Sequence, residues 1–202
     1  MDNKMTKVEE CLKDISEIRS MMERSSRFLS LSGLSGVSAG IVALLGSACA
    51  YWYLDVYVAR EKDVIRFFLL DAAAVFVAAL GLAVLFSTRM AKKNNLPVWD
   101  HTAKHLMNSL LTPLLTGGFV CILLWYHGEV HLIVPAMLIF YGLALNNCSK
   151  LTVGEIQYLA LGEIVLGLTA MAFPEYWLSL WALGFGVLHI LYGALLYVKY
   201  ER

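Results

Sequence analysis

Apolar residues dominate six stretches of this chain, and none alternates with polar residues in the period of two that marks a half-buried strand. The pattern predicts six helices: Phe28 to Tyr53, Val64 to Thr88, Leu106 to Tyr126, Leu132 to Asn146, Val153 to Phe173 and Tyr176 to Val198. Each approaches the roughly 20 residues that cross a bilayer as a helix. The fourth is the shortest and leaves room for another turn at either end. The stretches are too long and too uniformly apolar for barrel strands, and helices satisfy their own backbone groups in lipid. The connections YHGEVH and PEYW are tight, so neighbouring helices should form antiparallel hairpins. The expected fold is all-α: a polytopic six-helix transmembrane bundle built of three hairpins over residues 28–202, preceded by a cytoplasmic amphipathic helix within residues 1–27.

The leading segment differs from the rest. Val8, Leu12, Ile15, Ile18, Met22 and Leu29 recur at helical spacing with charges between them. Six acids balance six bases there, whereas a helix lying on a membrane surface would be net basic. That balance fits a helix over residues 5–27 that pairs with protein: a homo-oligomer or a cytoplasmic protein partner. A plain solvated lead-in to the first span has the same pattern.

Charge orients the bundle. If the N-terminus is cytoplasmic, 13 of the 16 Lys and Arg residues face inward and Arg60, Lys62 and Arg66 face outward, which puts both termini in the cytoplasm. Trp52, Tyr53, Trp125, Tyr126, Tyr176 and Trp177 then form a belt at the outer interface. The composition agrees: 59% hydrophobic, 16% charged, mean hydropathy +0.65. A net charge of zero gives no reason to expect a nucleic-acid partner. The lipid bilayer is the expected surrounding and the bacterial inner (plasma) membrane the expected location.

No C-x-x-C pair occurs among Cys11, Cys49, Cys121 and Cys148, so neither a metal knuckle nor a thioredoxin-like pair is expected. Cys49 and Cys121 could bridge only if their helices touch. His101 and His105 in WDHTAKH share a helical face but lack further ligands. No cofactor or metal is expected. The even-numbered helices end alike (GLAVLFSTR, YGLALNNCSK, YGALLYVK), either as an internal repeat or because small residues before a cation suit any cytoplasmic helix end.

The strongest chemical signal is Glu163, alone among apolar residues in LALGEIVLGL. His189 lies at a matching depth on the next helix, and Thr116, followed by Gly117 and Gly118, at that level on the third. A carboxyl at that depth takes a proton or finds a donor, and His189 is the donor on offer. Gly186 and Gly193 share His189's helical face, and Gly167 that of Glu163, so close helix approach is expected there. Pro113, a turn before Thr116, frees a backbone carbonyl. Glu155 fits a capping box with Thr152, Asp71 an interfacial ion pair with Arg66 or a solvated site, and Asn146 and Asn147 ordinary caps.

RSSRFLSLSGLSGVSAGI from Arg24, PLLTGGFVCILLWYHG from Pro113 and GFGVLHILYGALLYVKYER from Gly184 together resemble a family of functionally unassigned small six-helix inner-membrane proteins of Gram-negative bacteria. The resemblance covers most of the chain. It implies the membrane architecture and carries no active-site residues.

Two function classes compete. The first is a non-enzymatic integral membrane protein, a small sensor, accessory or scaffold subunit that associates through its cytoplasmic arm. The second is a small transporter with a midplane proton or substrate site at Glu163 and His189, joined by Thr116. An enzyme is not expected, because no nucleophile with a base, no pair of carboxylates at the water boundary and no His-rich metal set is present.

Overall fold

The structure, a computed structural model, describes residues 32–57, 61–93 and 101–202. The segment 1–27, with its expected arm helix, lies outside the described residues. The described chain is all-helical, and the helices are α1 (Gly33–Tyr57), α2 (Glu61–Lys93), α3 (His101–Tyr126), α4 (Ile133–Cys148), α5 (Ile156–Ala172) and a composite α6 over Pro174–Glu201. Five are long and apolar enough to cross a membrane. With the turns that flank it, α4 reaches 22 residues over Val130–Leu151, while α5 has 17.

The boundaries depart from expectation in instructive ways. The short span is α5 and not α4, because 3₁₀ turns at Val130–Leu132 and Ser149–Leu151 lengthen α4 at both ends. α3 begins at His101, so the WDHTAKH histidines belong to its first turns, with ring centroids 5.1 Å apart. α5 begins only at Ile156, and the capping box does not form. The Thr152 hydroxyl donates to the Cys148 carbonyl instead, 3.0 Å away, and Glu155 turns toward the chain's C-terminus.

The helices form an arc in the order α2, α1, α6, α5, α4, α3. Sequential hairpins are present, but the most extensive contacts join α4 to α5 and α1 to α6. Small residues explain this. Gly33, Gly36, Gly40, Ala43, Ser47 and Ala50 make a stripe along α1 that lies against Gly186 and Gly193 of α6. A methyl group at Gly193 would stand 2.5 Å from the backbone oxygen of Gly33, and one at Gly40 would stand 2.6 Å from the Gly186 oxygen. Between α4 and α5, a methyl at Gly142 would meet the Ala160 oxygen at 2.7 Å, and one at Gly167 would meet Ile139 at 2.7 Å. Gly167 therefore serves the α4 seam and not Glu163. Backbones this close gain dispersion contacts, which drive helix association where lipid removes the hydrophobic term.

The flanking helices show the opposite pattern. α2 packs chiefly on α1, and Leu69, Leu70, Phe76, Val77, Leu80 and Val84 stay exposed. α3 packs chiefly on α4, with Leu115, Phe119 and Ile122 exposed. Such apolar surface suits lipid contact. Cys148 Sγ reaches the Leu106 carbonyl at 3.6 Å and Cys121 Sγ the Ile133 carbonyl at 3.8 Å, so thiols brace the α3/α4 hairpin at both ends. Cys49 and Cys121 are free thiols on helices that do not pack together. Pro113 leaves the Ser109 carbonyl without its usual helical donor. Asn147 Nδ2 of α4 supplies a long bond to it at 3.5 Å, so Asn147 is more than a cap. Asp71 is half-buried beside Gly46 of α1 and not paired with Arg66, which lies five residues away on a different helical face.

The two ends of the bundle are closed differently. At the end of the tight turns, Tyr53 stacks on Phe67 with centroids 3.8 Å apart, Phe68 meets Trp177 edge-on at 5.6 Å, and Tyr51 bonds Ser179 at 2.7 Å. In the YHGEVH turn, Gly128 adopts φ +82°, a backbone region glycine enters without steric cost. At the opposite end, the Glu201 carboxylate accepts from the Gly33 N–H and, at 3.3 Å, from the Ser32 hydroxyl. It thus caps α1 from the far end of the sequence and places a negative charge on that helix's N-terminus. Glu155 accepts from the Lys199 ammonium and from the Tyr200 hydroxyl at 3.0 Å, tying the start of α5 to the end of α6.

These bonds, the Lys199 contact first, hold the Glu155 carboxyl below its usual value of 4.5. A lowered folded-state value gives stability that is present above 4.5 and fades as pH falls through the folded value. Lys199→Met should therefore lower the unfolding temperature at neutral pH. The gap to the natural protein should close as pH drops below 4.5. Melting both proteins across that range checks it, and a gap unchanged by acid would show that Lys199 acts through packing alone.

Candidate functional site

Glu163 projects from the middle of α5 into the junction with α4 and α6 and is 0% exposed. The room for it comes from Gly184 of α6, where a methyl group would stand 2.6 Å from Glu163 Oε2 and 2.8 Å from Leu138. His189 Nδ1 lies 3.4 Å from Glu163 Oε1. The structure thus brings together the two residues that their depth had matched.

The backbone of α6 sets the histidine. Over Ala182–Leu188 the helix widens into a π-turn, and His189 follows directly. Single π-turns inside α-helices recur at functional positions because they release a carbonyl from the regular ladder. The Gly184 carbonyl faces His189 Nδ1 at 3.0 Å, and since a carbonyl only accepts, Nδ1 carries a proton. The other ring nitrogen, Nε2, sits 2.7 Å from the Tyr141 hydroxyl of α4. In the neutral ring, Nε2 accepts from Tyr141, and in the doubly protonated ring it donates to it. Phe185 stacks on His189 at 6.0 Å, with Tyr141 and Trp181 against its other sides at 5.0 and 5.3 Å.

The histidine is therefore fully engaged, while the carboxyl is not. Neither oxygen of Glu163 accepts a hydrogen bond from a protein group, and Oε1 has His189 Nδ1 beside it at 3.4 Å. A buried polar group in that condition costs about 1–3 kcal/mol. The arrangement is a carboxyl held beside an imidazole that already has donors and acceptors on both nitrogens. A proton can pass between them when the imidazole releases the Gly184 carbonyl and turns its Nδ1–H to Glu163 Oε1, 3.4 Å away.

Thr116 is not part of this cluster. It is exposed on α3, the helix farthest along the arc, and its hydroxyl donates to the Thr112 carbonyl at 2.8 Å. Equal depth had placed it, but the helix order separates it from α5 and α6. Gly186 and Gly193 turn toward α1. Tyr141 and Gly184 complete the site and were not singled out from the sequence. A signal for the first was present: YG recurs at Tyr141 and Tyr192, and both glycines that follow lie in close-packed seams. Among the described residues, no group of three or more His, Cys, Asp or Glu side chains could hold a metal ion. No protein-family model, curated protein or solved structure matches this chain.

Proposed function

We propose that this chain is a small proton-coupled transporter of a bacterial inner membrane, crossing it six times with both termini in the cytoplasm, and that Glu163 is the group that takes up and releases the proton. One observation carries the reading: a fully buried carboxyl, one oxygen of which lies 3.4 Å from an imidazole that is hydrogen-bonded on both nitrogens. An ionisable group inside a membrane bundle is expensive and is a functional candidate by default. Transporters commonly place such groups near the midplane where helices are interrupted, and here the π-turn of α6 is the interruption. At 17 residues, α5 stands at the lower limit of a span and supports the sixth crossing. The resemblance to the small six-helix inner-membrane family implies the same number of crossings and carries no activity. The accessory or scaffold role rests on residues 5–27, which lie outside the described residues, and on the short loops of the bundle.

The test is the full chain in proteoliposomes with an internal pH dye, challenged with panels of solutes under an imposed pH gradient. Solute-dependent proton movement that disappears in Glu163→Gln supports the reading. Proton movement identical in the two proteins would remove Glu163 from it.

Topology has its own test. In a background free of native cysteines, a cysteine at Glu129 should react with an impermeant reagent added to whole spheroplasts, and one at Ser149 only after the membrane is opened. The reverse pattern would invert the bundle.

A further inference from the structure

Three groups from three helices surround the ring nitrogens of His189. Nδ1 donates to the Gly184 carbonyl of α6 at 3.0 Å and has Glu163 Oε1 of α5 beside it at 3.4 Å. Its single N–H thus stands between two acceptors at nearly equal distance. Nε2 meets the Tyr141 hydroxyl of α4 at 2.7 Å, the shortest of the three contacts. The tyrosine ring is itself held, with centroids 5.0 Å from Phe185 and 5.4 Å from the imidazole. Of the helices packed here, α5 presents Glu163 to the imidazole and α4 presents Tyr141, while α1 has no titratable side chain over residues 32–48.

A hydroxyl suits its place at Nε2 because it can both donate and accept. While Nε2 is bare the hydroxyl donates to it, and when Nε2 carries a proton the hydroxyl oxygen accepts. A backbone N–H or a carbonyl would serve only one of those states. Phenylalanine would keep the ring contacts and leave Nε2 without a partner. An imidazole freed there has the Gly184 carbonyl as its hydrogen-bonded partner and settles on it, away from the carboxyl.

We infer that Tyr141 is the positioning residue of this site: it pins Nε2 in both protonation states of His189, so that the ring turns about that bond and carries Nδ1–H from the Gly184 carbonyl to Glu163 Oε1. The inference rests on Glu163 being an exchanging acid. Tyr141 passes no proton itself, and its contribution is the geometry of the imidazole.

The experiment is a pH jump on the full chain in liposomes, followed by the infrared carbonyl stretch of protonated Glu163, identified by its loss in Glu163→Gln. Tyr141→Phe should slow the appearance of that band on the order of a hundredfold, the scale of a reacting group displaced by about 1 Å. The final amplitude should be unchanged, because Glu163 is still present. If Tyr141 only ties α4 to α6, the variant melts at a lower temperature and protonates Glu163 at the natural rate, and that result overturns the inference. The natural protein gives a second reading that needs no change at Tyr141: nitrogen NMR with isotope-labelled histidine, His189 being assigned by the loss of its signals in His189→Gln. In the neutral ring, Nδ1 should be the protonated nitrogen and Nε2 a bare, hydrogen-bonded one, and the reverse tautomer would overturn the inference. A Glu163 band that appears at no pH would overturn the proton reading and this inference with it, whereas an unchanged rate in Tyr141→Phe removes Tyr141 alone.

Discussion

Glu163→Leu yields a bundle at least as stable as the natural protein and without any Glu163-dependent proton signal. The carboxyl is fully buried and accepts no hydrogen bond from a protein group, so the natural side chain carries a desolvation cost of about 1–3 kcal/mol that leucine avoids. Leucine has a similar volume and meets the gap that Gly184 leaves. Most changes at a buried position destabilise, so a gain here would mark a residue kept for something other than folding. His189→Leu should behave in the opposite way. It strands the Gly184 carbonyl and the Tyr141 hydroxyl, and a loss on the order of 3 kcal/mol is expected. Adding Glu163→Leu to that variant should recover part of the loss, since the two side chains are in contact. Unfolding in detergent of the two single variants and the double variant gives the cycle. A Glu163→Leu protein that melts well below the natural one, with proton movement intact, would make the carboxyl a structural element.

Gly193→Ala, like Gly33→Ala across the same seam, is expected to be among the most damaging single methyl groups in the bundle. It must enter a seam where backbone atoms of Gly33 and Val37 stand 2.5 Å from the added carbon, and no flexible side chain can yield. Overpacking of this kind costs about 1–3 kcal/mol, and more where only backbone can move. Gly118→Ala is the control. Nothing lies within 4 Å of that position, so alanine's better helix propensity should leave stability level or raise it by up to about 1 kcal/mol. Equal losses at both positions would mean that α1 and α6 do not pack as described.

Much of this arrangement is legible in the chain because lipid imposes few options. Long apolar runs must be helices, and their existence follows from length and composition. The Glu163–His189 contact was legible for a narrower reason: a short turn makes α5 and α6 neighbours, and matched distance from the helix ends fixes the level. The same logic failed for Thr116, because depth says nothing about which helix stands beside which. Helix order is set by where glycines permit backbone contact, and only part of that pattern shows in sequence. Gly186 and Gly193 were visible as close-packing residues, but nothing marked α1 as their partner. The π-turn of α6 was also hidden, since its sequence, ALGFGVL, is as apolar as a regular helix would be. That turn precedes His189 and contains Gly184, whose carbonyl faces the imidazole and holds the proton on Nδ1. The capping box failed because Lys199 and Tyr200, far along the chain, compete for the Glu155 carboxylate more effectively than the local backbone does.

The partnership of α1 with α6 also bears on how the protein is made. Synthesis runs from the N-terminus, so the helix carrying the glycine stripe is made well before its partner. Until Gly193 and Glu201 leave the ribosome, the α1 seam faces lipid and its first N–H groups lack their cap. Chains truncated before α6 would hold α2 correctly against α1 and still present that open seam. A quality-control protease that reads exposed small-residue stripes would therefore distinguish chains that have made α6 from chains that have not, by a seam between helices far apart in the sequence.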